Sequence, residues 1–358
     1  MSFDFIPLEV YTPLYYYLLL MVMLVFFSEL NNSGFKKSKL GFLLVGFIIL
    51  YMGLRPISGY YFGDMGTYAR AFQNFQQGDS LIFEKEVVFN LFMKFCSKVM
   101  NIHFFFLTCA ILYVYPLYLV SKKWFPNYWF YAFLLLVSSF SFWSFGTNGI
   151  RNGLATSVFL FGVSREKRLL QIGFILLAIG VHKSLILPSL GFLVAQFYNK
   201  PKVMIAFWVL CIPLSLAAGG FWENFFGSLG FQDDRLSYLT EGNVNDDDFS
   251  STGFRWDFLL YSATAVYAGW YFIIKKGFED KIYFWLFNTY VFANAFWILV
   301  IRANFSNRFA YLSWFMMALV IIYPLLKKEM IKNQYKVLAK VMLIYFAFTF
   351  LMNVILAK

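Results

Sequence analysis

Of 358 residues, 60% are hydrophobic and only 14% charged, with mean hydropathy +0.63, whereas a soluble domain is roughly 45–50% apolar and about 25% charged, so the chain is an integral membrane protein. The net charge of +11 would suggest nucleic acid in a soluble protein, but most lysines sit in short loops between apolar runs and mark topology instead. Three isolated cysteines (Cys96, Cys109, Cys211) and two histidines (His103, His182) exclude a disulfide framework, a zinc site and a histidine-rich metal centre.

Backbone in lipid must satisfy its own hydrogen bonds, which leaves helices or a closed barrel. Continuous apolar runs such as Leu40–Leu54 and Ile282–Val300 lack the alternation of barrel strands, so the fold class is all-α and polytopic. The N-terminus carries Asp4 and Glu9 and no basic residue before the first apolar run, so Tyr11–Leu30 reads as a retained first span rather than a cleavable signal. Basic residues then gather in six short segments: Lys36/Lys37/Lys39, Lys122/Lys123, Arg165/Lys167/Arg168, Lys200/Lys202, Lys275/Lys276/Lys281 and Lys327/Lys328/Lys332/Lys336. The positive-inside rule places them in the cytoplasm. Two crossings between neighbouring segments and one at each end predict about twelve spans (10–13), with both termini outside. They cover residues 11–30, 40–54, 104–120, 126–145, 150–163, 169–181, 185–197, 203–220, 258–274, 282–300, 309–326 and 337–356. The weakest are 150–163, 169–181 and 185–197; they fall short of the ~20 residues a crossing needs, with broken half-helices as the alternative.

The chain reads as one transmembrane domain, 1–358, with two long outer segments at 55–103 and 221–257. Within the first, Val88, Phe92, Phe95 and Val99 recur at helical spacing opposite Asn90, Lys94 and Lys98. That pattern predicts an amphipathic helix over Val87–Ile102 lying in the membrane interface. The second holds Asp246, Asp247 and Asp248 in a Gly/Ser/Asn-rich stretch and reads as a solvated, lid-like loop.

Cytoplasmic loops are at most about a dozen residues long, and neither a Walker loop nor a dinucleotide fingerprint is present. Chemistry therefore belongs to the outer face, with a donor carried by the membrane as a lipid-linked group. Polar residues concentrate there: Arg55; Gly63-Asp64 with Tyr68; Glu84 and Glu86; Gly149-Ile150-Arg151-Asn152-Gly153; His182-Lys183-Ser184; Gly253-Phe254-Arg255-Trp256-Asp257; and Arg302 with Arg308. Ionisable groups at membrane depth are costly, which makes them functional candidates. Plainer accounts compete. Arg255, Asp257 and Arg302 are also explained by snorkelling, and Gly149/Gly153 by GxxxG helix packing. His182 could equally be a hydrogen-bonded core residue, and Tyr60, Tyr61, Trp143, Trp222 and Trp256 an interfacial belt. Arg151 resists such an account, because an outward basic residue opposes the positive-inside bias. Together Arg55, Arg151, Arg255, Arg302 and Arg308 offer planar forks that match a departing lipid pyrophosphate. The proton of an attacking hydroxyl would pass to Asp64 first, with Glu86 and His182 as alternatives.

The order of these motifs resembles the EpsG/Wzy-type family of bacterial exopolysaccharide and O-antigen polymerases. The resemblance rests on Arg55, Gly63-Asp64, Tyr68 and Glu84–Glu86, followed by a central G-x-R-x-x-x-A corner at Gly149–Ala155. An H-x-S corner at His182–Ser184 and a late R-x-x-Y at Arg308–Tyr311 complete it. Asn152 stands where a Gln often follows the central Arg, a mild departure. The resemblance implies polymerisation of undecaprenyl-pyrophosphate-linked repeat units at the outer face of a bacterial cytoplasmic membrane, without nucleotide, metal or other cofactor. It carries Tyr68, Asn152, Ser184 and Tyr311 into the candidate site. The implied partners are the lipid-linked oligosaccharide, membrane lipid and, from the same pathway, a chain-length regulator and a flippase; nucleic acid is not expected. A flippase of lipid-linked saccharides is the alternative, but it needs a polar path through both leaflets, and Lys340 is the lone intramembrane charge of the inner half. A membrane acyltransferase would need His182 on the opposite face.

Overall fold

The apolar runs fold as helices because only helices pair every backbone group within one segment of a lipid-immersed chain. A computed structural model describes residues 2–34, 41–80, 86–228, 253–303 and 306–356, and the regular structure there is helical throughout. The segments holding Lys36, Lys37 and Lys39, Glu84, and Asp246–Asp248 lie outside the described residues.

Among the described residues seven helices are long and apolar enough to cross a membrane, by length and composition, or eight if a pair bent by 67° counts as one crossing. Four more apolar helices have 10–17 residues, short of the ~20 needed to cross alone. The all-α polytopic expectation therefore holds. Each segment read as a span falls on one of these helices, but residues 126–145 are interrupted rather than continuous.

Where the sequence reads as one domain, contacts within the chain gather it into two compact units, Met1–His182 with Ile331–Lys358, and Lys183–Met330. The first unit holds α1 (Leu8–Ser33), α2 (Gly41–Gly53), α3 (Gly59–Phe62), α4 (Met65–Gln76), α5 (Val87–Val99), α6 (Ile102–Trp124), α7 (Trp129–Val137), α8 (Phe140–Thr147), α9 (Ile150–Val163) and α10 (Arg168–Val181). Helix α6 packs against α2, α7 and α9, and α9 against α10. Bending of the α7–α8 pair falls at Ser138–Ser139, whose hydroxyls donate to the carbonyls of Leu134 and Leu136 at 2.7 Å. Each carbonyl also accepts the backbone N–H of the same serine, so the hydroxyls add local bonds of the kind that bends helices. Helices α8 and α9 meet so closely that a Cβ at Gly153 would lie 2.6 Å from the Phe145 carbonyl oxygen, so close packing accounts for this glycine.

The 55–86 segment is not merely a loop. It contains α3 and α4, and α4 buries Met65, Tyr68, Ala69 and Phe72 on one helical face. The expected amphipathic helix is present as α5. Its protein-facing stripe, however, is Phe89, Met93 and Cys96, while Phe95 and Val99 stay exposed. Apolar residues thus occur on two faces: one packs on protein, and the other suits a membrane interface.

In the second unit a short turn at Lys183–Leu185 leads into α11 (Ile186–Phe197), followed by α12 (Pro201–Ser228), α13 (Trp256–Gly269), α14 (Lys281–Leu299) and α15 (Ser306–Lys327). Helix α14 packs on α11, α12 and α15. A buried polar hub ties these helices. Asn294 donates to Ser262 Oγ (3.2 Å) and Ser313 Oγ (2.9 Å) and accepts from Trp208 Nε1 (2.7 Å), while Trp314 Nε1 donates to Ser262 Oγ (2.7 Å). Away from water, losing one member strands the others. Asn294→Leu is expected to lower stability by about 1–3 kcal/mol, read as an earlier unfolding midpoint in detergent; an unchanged midpoint would remove the hub's structural role. The C-terminal α16 (Gln334–Phe350) belongs to the first unit and packs on α1, α7 and α8.

Candidate functional site

Four residues distant in sequence converge in the first unit. Glu86 caps α5, Arg151 lies in the first turn of α9, His182 ends α10, and Tyr68 lies on α4. One Glu86 oxygen pairs with Arg151 Nη1, and the other lies 3.1 Å from His182 Nε2. Arg151 Nε donates to the Tyr68 hydroxyl at 3.1 Å, with the guanidinium 5.6 Å from the centre of that ring. His182 and Glu86 are buried, whereas Arg151 keeps a quarter of its side chain exposed (25%).

Local structure explains the convergence. A Cβ at Gly180 would lie 2.7 Å from Val88 Cγ2, so glycine lets the end of α10 lie against the start of α5. Glu86 has φ +48°, a left-handed conformation rare for a residue with a side chain. Its carboxylate makes no capping bond to α5 and turns to Arg151 and His182 instead. A helix-start role therefore does not account for this acid. Arg151 sits at a helix N-terminus, where the dipole disfavours a cation, so Glu86 also offsets that field. Burial raises the Tyr68 phenol's pKa and Arg151 opposes the shift; the hydroxyl keeps its proton while accepting from Arg151.

Three contacts tie the 55–68 segment to the corner before α9. Arg55 Nη2 donates to the Thr147 carbonyl at 3.0 Å, the Asp64 N–H to Asn148 Oδ1 at 2.9 Å, and Arg151 to Tyr68 as above. Gly63 has φ +53°, and a Cβ there would stand 2.4 Å from Asn148 Oδ1. Glycine is required both for conformation and for space. Asn148, not among the residues singled out by sequence, was signalled only by Asn148-Gly149, a turn dipeptide. The Asp64 side chain is exposed and, among the described residues, its carboxylate has neither ion pair nor hydrogen bond within the site.

The other expected residues fall elsewhere. Arg55 is 1% exposed and donates to the carbonyls of Met52 and Thr147 between the rings of Phe62 and Phe106, with its Nε left without a hydrogen-bond partner among the described residues. Asn152 lies beside Arg151 on α9, half-buried. In the second unit Ser184 is buried in the Lys183–Leu185 turn. Arg255 gives both arms of its fork to Asp257 (2.9 and 2.6 Å) and lies over Phe258. Arg302 is exposed beside Gly219 and Phe254, Arg308 is half-buried in the first turn of α15, and Tyr311 is buried next to Trp314.

Helices long and apolar enough to cross a membrane, with a Glu–Arg–His cluster gathered at the ends of three shorter ones, define a polytopic membrane protein. The sequence pattern of the EpsG family matches residues 38–358, nearly the whole chain, and the chain belongs to that family. EpsG proteins are polysaccharide polymerases, enzymes of glycosyltransferase type. No curated protein and no solved structure gave a match.

Proposed function

We propose that the chain joins oligosaccharide repeat units carried on undecaprenyl pyrophosphate, at the outer face of a bacterial cytoplasmic membrane with both termini outside. The observation that carries this reading is the convergence of Glu86, Arg151, His182 and Tyr68 beside Asp64. An acceptor hydroxyl oxygen attacks the anomeric carbon of the donor sugar, the bond from that carbon to pyrophosphate oxygen breaks, and the lipid pyrophosphate leaves. Asp64 receives the hydroxyl proton. Arg151, partly exposed, turns its remaining donors to the leaving phosphate. Glu86 serves as the positioning residue for Arg151 and His182, because a carboxylate already paired with a guanidinium is a poor proton acceptor. Arg302 and Arg308 are proposed as further anion contacts within the second unit, while Arg55, which is fully buried, and Arg255, whose fork is paired with Asp257, are set aside. No step calls for a nucleotide or a metal ion.

Purified protein in detergent should lengthen lipid-linked oligosaccharide with no nucleotide added. In intact spheroplasts, Gln76→Cys should react with an impermeant thiol reagent and Lys332→Cys should not; the native Cys96, Cys109 and Cys211 are buried. Absence of lengthening overturns the polymerase, and reversed labelling overturns the outer face.

A further inference from the structure

Beyond the reacting cluster, the short helix α3 presents a feature the fold does not use. Phe62 is buried against Tyr11 and lies 5.5 Å from the Arg55 guanidinium. Residues two apart on a helix point about 200° from each other, so fixing Phe62 inward turns Tyr60 outward. Tyr60 is 89% exposed, and among the described residues its ring meets only that of Tyr61, edge-on at 4.9 Å. Tyr61 is partly exposed and donates its hydroxyl to Glu9 Oε1 at 3.0 Å. Glu9 is exposed and has no cationic partner among the described residues. The patch leads straight into the reacting region: Phe62 is followed by Gly63-Asp64, whose backbone is held by Asn148.

An exposed aromatic face beside a carboxylate matches the two sides of a sugar. The ring covers the apolar C–H face, and a carboxylate oxygen accepts from hydroxyl groups. Glu9 would repel the pyrophosphate of either lipid-linked unit, so the complementary ligand is the part of a saccharide remote from its pyrophosphate. The donor reacts beside its pyrophosphate, whereas the acceptor's attacking end lies away from its own, which favours the acceptor. Resting on the polymerase reading, we infer that Tyr60, Tyr61 and Glu9 form a saccharide subsite that holds the acceptor unit, with its attacking end toward Asp64. The competing account is an interfacial belt, which needs an amphipathic or apolar side chain at this position but no sugar.

Two readouts on the full-length protein in detergent separate these accounts. Saturation-transfer NMR would follow oligosaccharides released by partial acid hydrolysis of the host strain's own exopolymer, which carry no lipid and so do not partition into micelles. Wild type should transfer saturation to the sugar protons, Tyr60→Ala and Glu9→Gln should weaken transfer by about fivefold or more, and Tyr60→Trp should retain it. Tyr60→Leu keeps apolar surface for a belt but offers no ring, so it should behave like Tyr60→Ala. In the second readout, Tyr60→Ala should raise KM for the acceptor about tenfold while kcat stays within about twofold of wild type. Transfer at wild-type level in Tyr60→Ala or Tyr60→Leu, or no transfer in wild type, overturns the subsite. So does an unchanged KM in Tyr60→Ala. Saturation transfer without chain extension in wild type would sink the polymerase reading and leave the saccharide site standing.

Discussion

The Asp64→Asn protein is expected to extend chains about a hundredfold more slowly than wild type, or worse, at unchanged protein level and with lipid-substrate binding intact. The substitution is nearly isosteric and removes only the charge and the ability to take up a proton. The backbone contact that fixes this turn, from the Asp64 N–H to Asn148, survives it, and the side chain makes no capping bond that folding would miss. A loss of activity can therefore be read as chemistry. Glu86→Gln cannot be read so simply, since that carboxylate holds both Arg151 and His182. Extension assays with purified protein decide the matter. A residual rate above about one part in a hundred would leave less than ~3 kcal/mol of barrier to this carboxylate, and the base would then have to be sought at His182.

Much of this was legible in the sequence because lipid constrains it so tightly. Long apolar runs such as Ile282–Val300 and basic loops such as Lys122/Lys123 located the helices, since few other structures survive in a membrane. The bend at Ser138–Ser139 was not legible, because the apolar run continues on both sides and two serines are tolerated within straight helices. Helix α4 was legible in principle, since its buried residues Met65, Tyr68, Ala69 and Phe72 recur at helical spacing, but they form no apolar run of the kind that marked the other helices. Within the site, residue types were readable and partnerships were not. Glu86, Arg151 and His182 each stood out as ionisable groups in apolar surroundings. That one carboxylate joins the other two depends on α5 lying against α10, which rests on Gly180, a residue with no chemistry of its own. Arg55 shows the converse. As a charge beside a membrane span it reads as a ligand contact, but the fold buries it and two of its nitrogens donate to backbone carbonyls, partners invisible until the chain is folded.

Arg151 carries the second large effect. Arg151→Lys is expected to fail nearly as badly as Arg151→Ala, with kcat lowered about a hundredfold, because the residue has three tasks. It gives Nε to Tyr68 and Nη1 to Glu86, and presents what remains of its fork on its exposed side. An ammonium is a point charge with no planar fork, and Lys cannot reach Tyr68, Glu86 and a phosphate oxygen together. The two acid-side variants then separate positioning from charge. Glu86→Gln keeps a side-chain oxygen for Arg151 but removes the negative charge, so Arg151 should bind anions more tightly in the resting state and release them more slowly. Adding Glu86→Gln to Arg151→Lys should cost far less than the sum of the two single changes, with a coupling of about 1–3 kcal/mol as expected for residues in direct contact. Additive losses would mean that Glu86 acts on the reaction independently of Arg151. Full polymer from Arg151→Lys would reduce Arg151 to an interfacial charge, and the leaving group's anchor would have to be another cation.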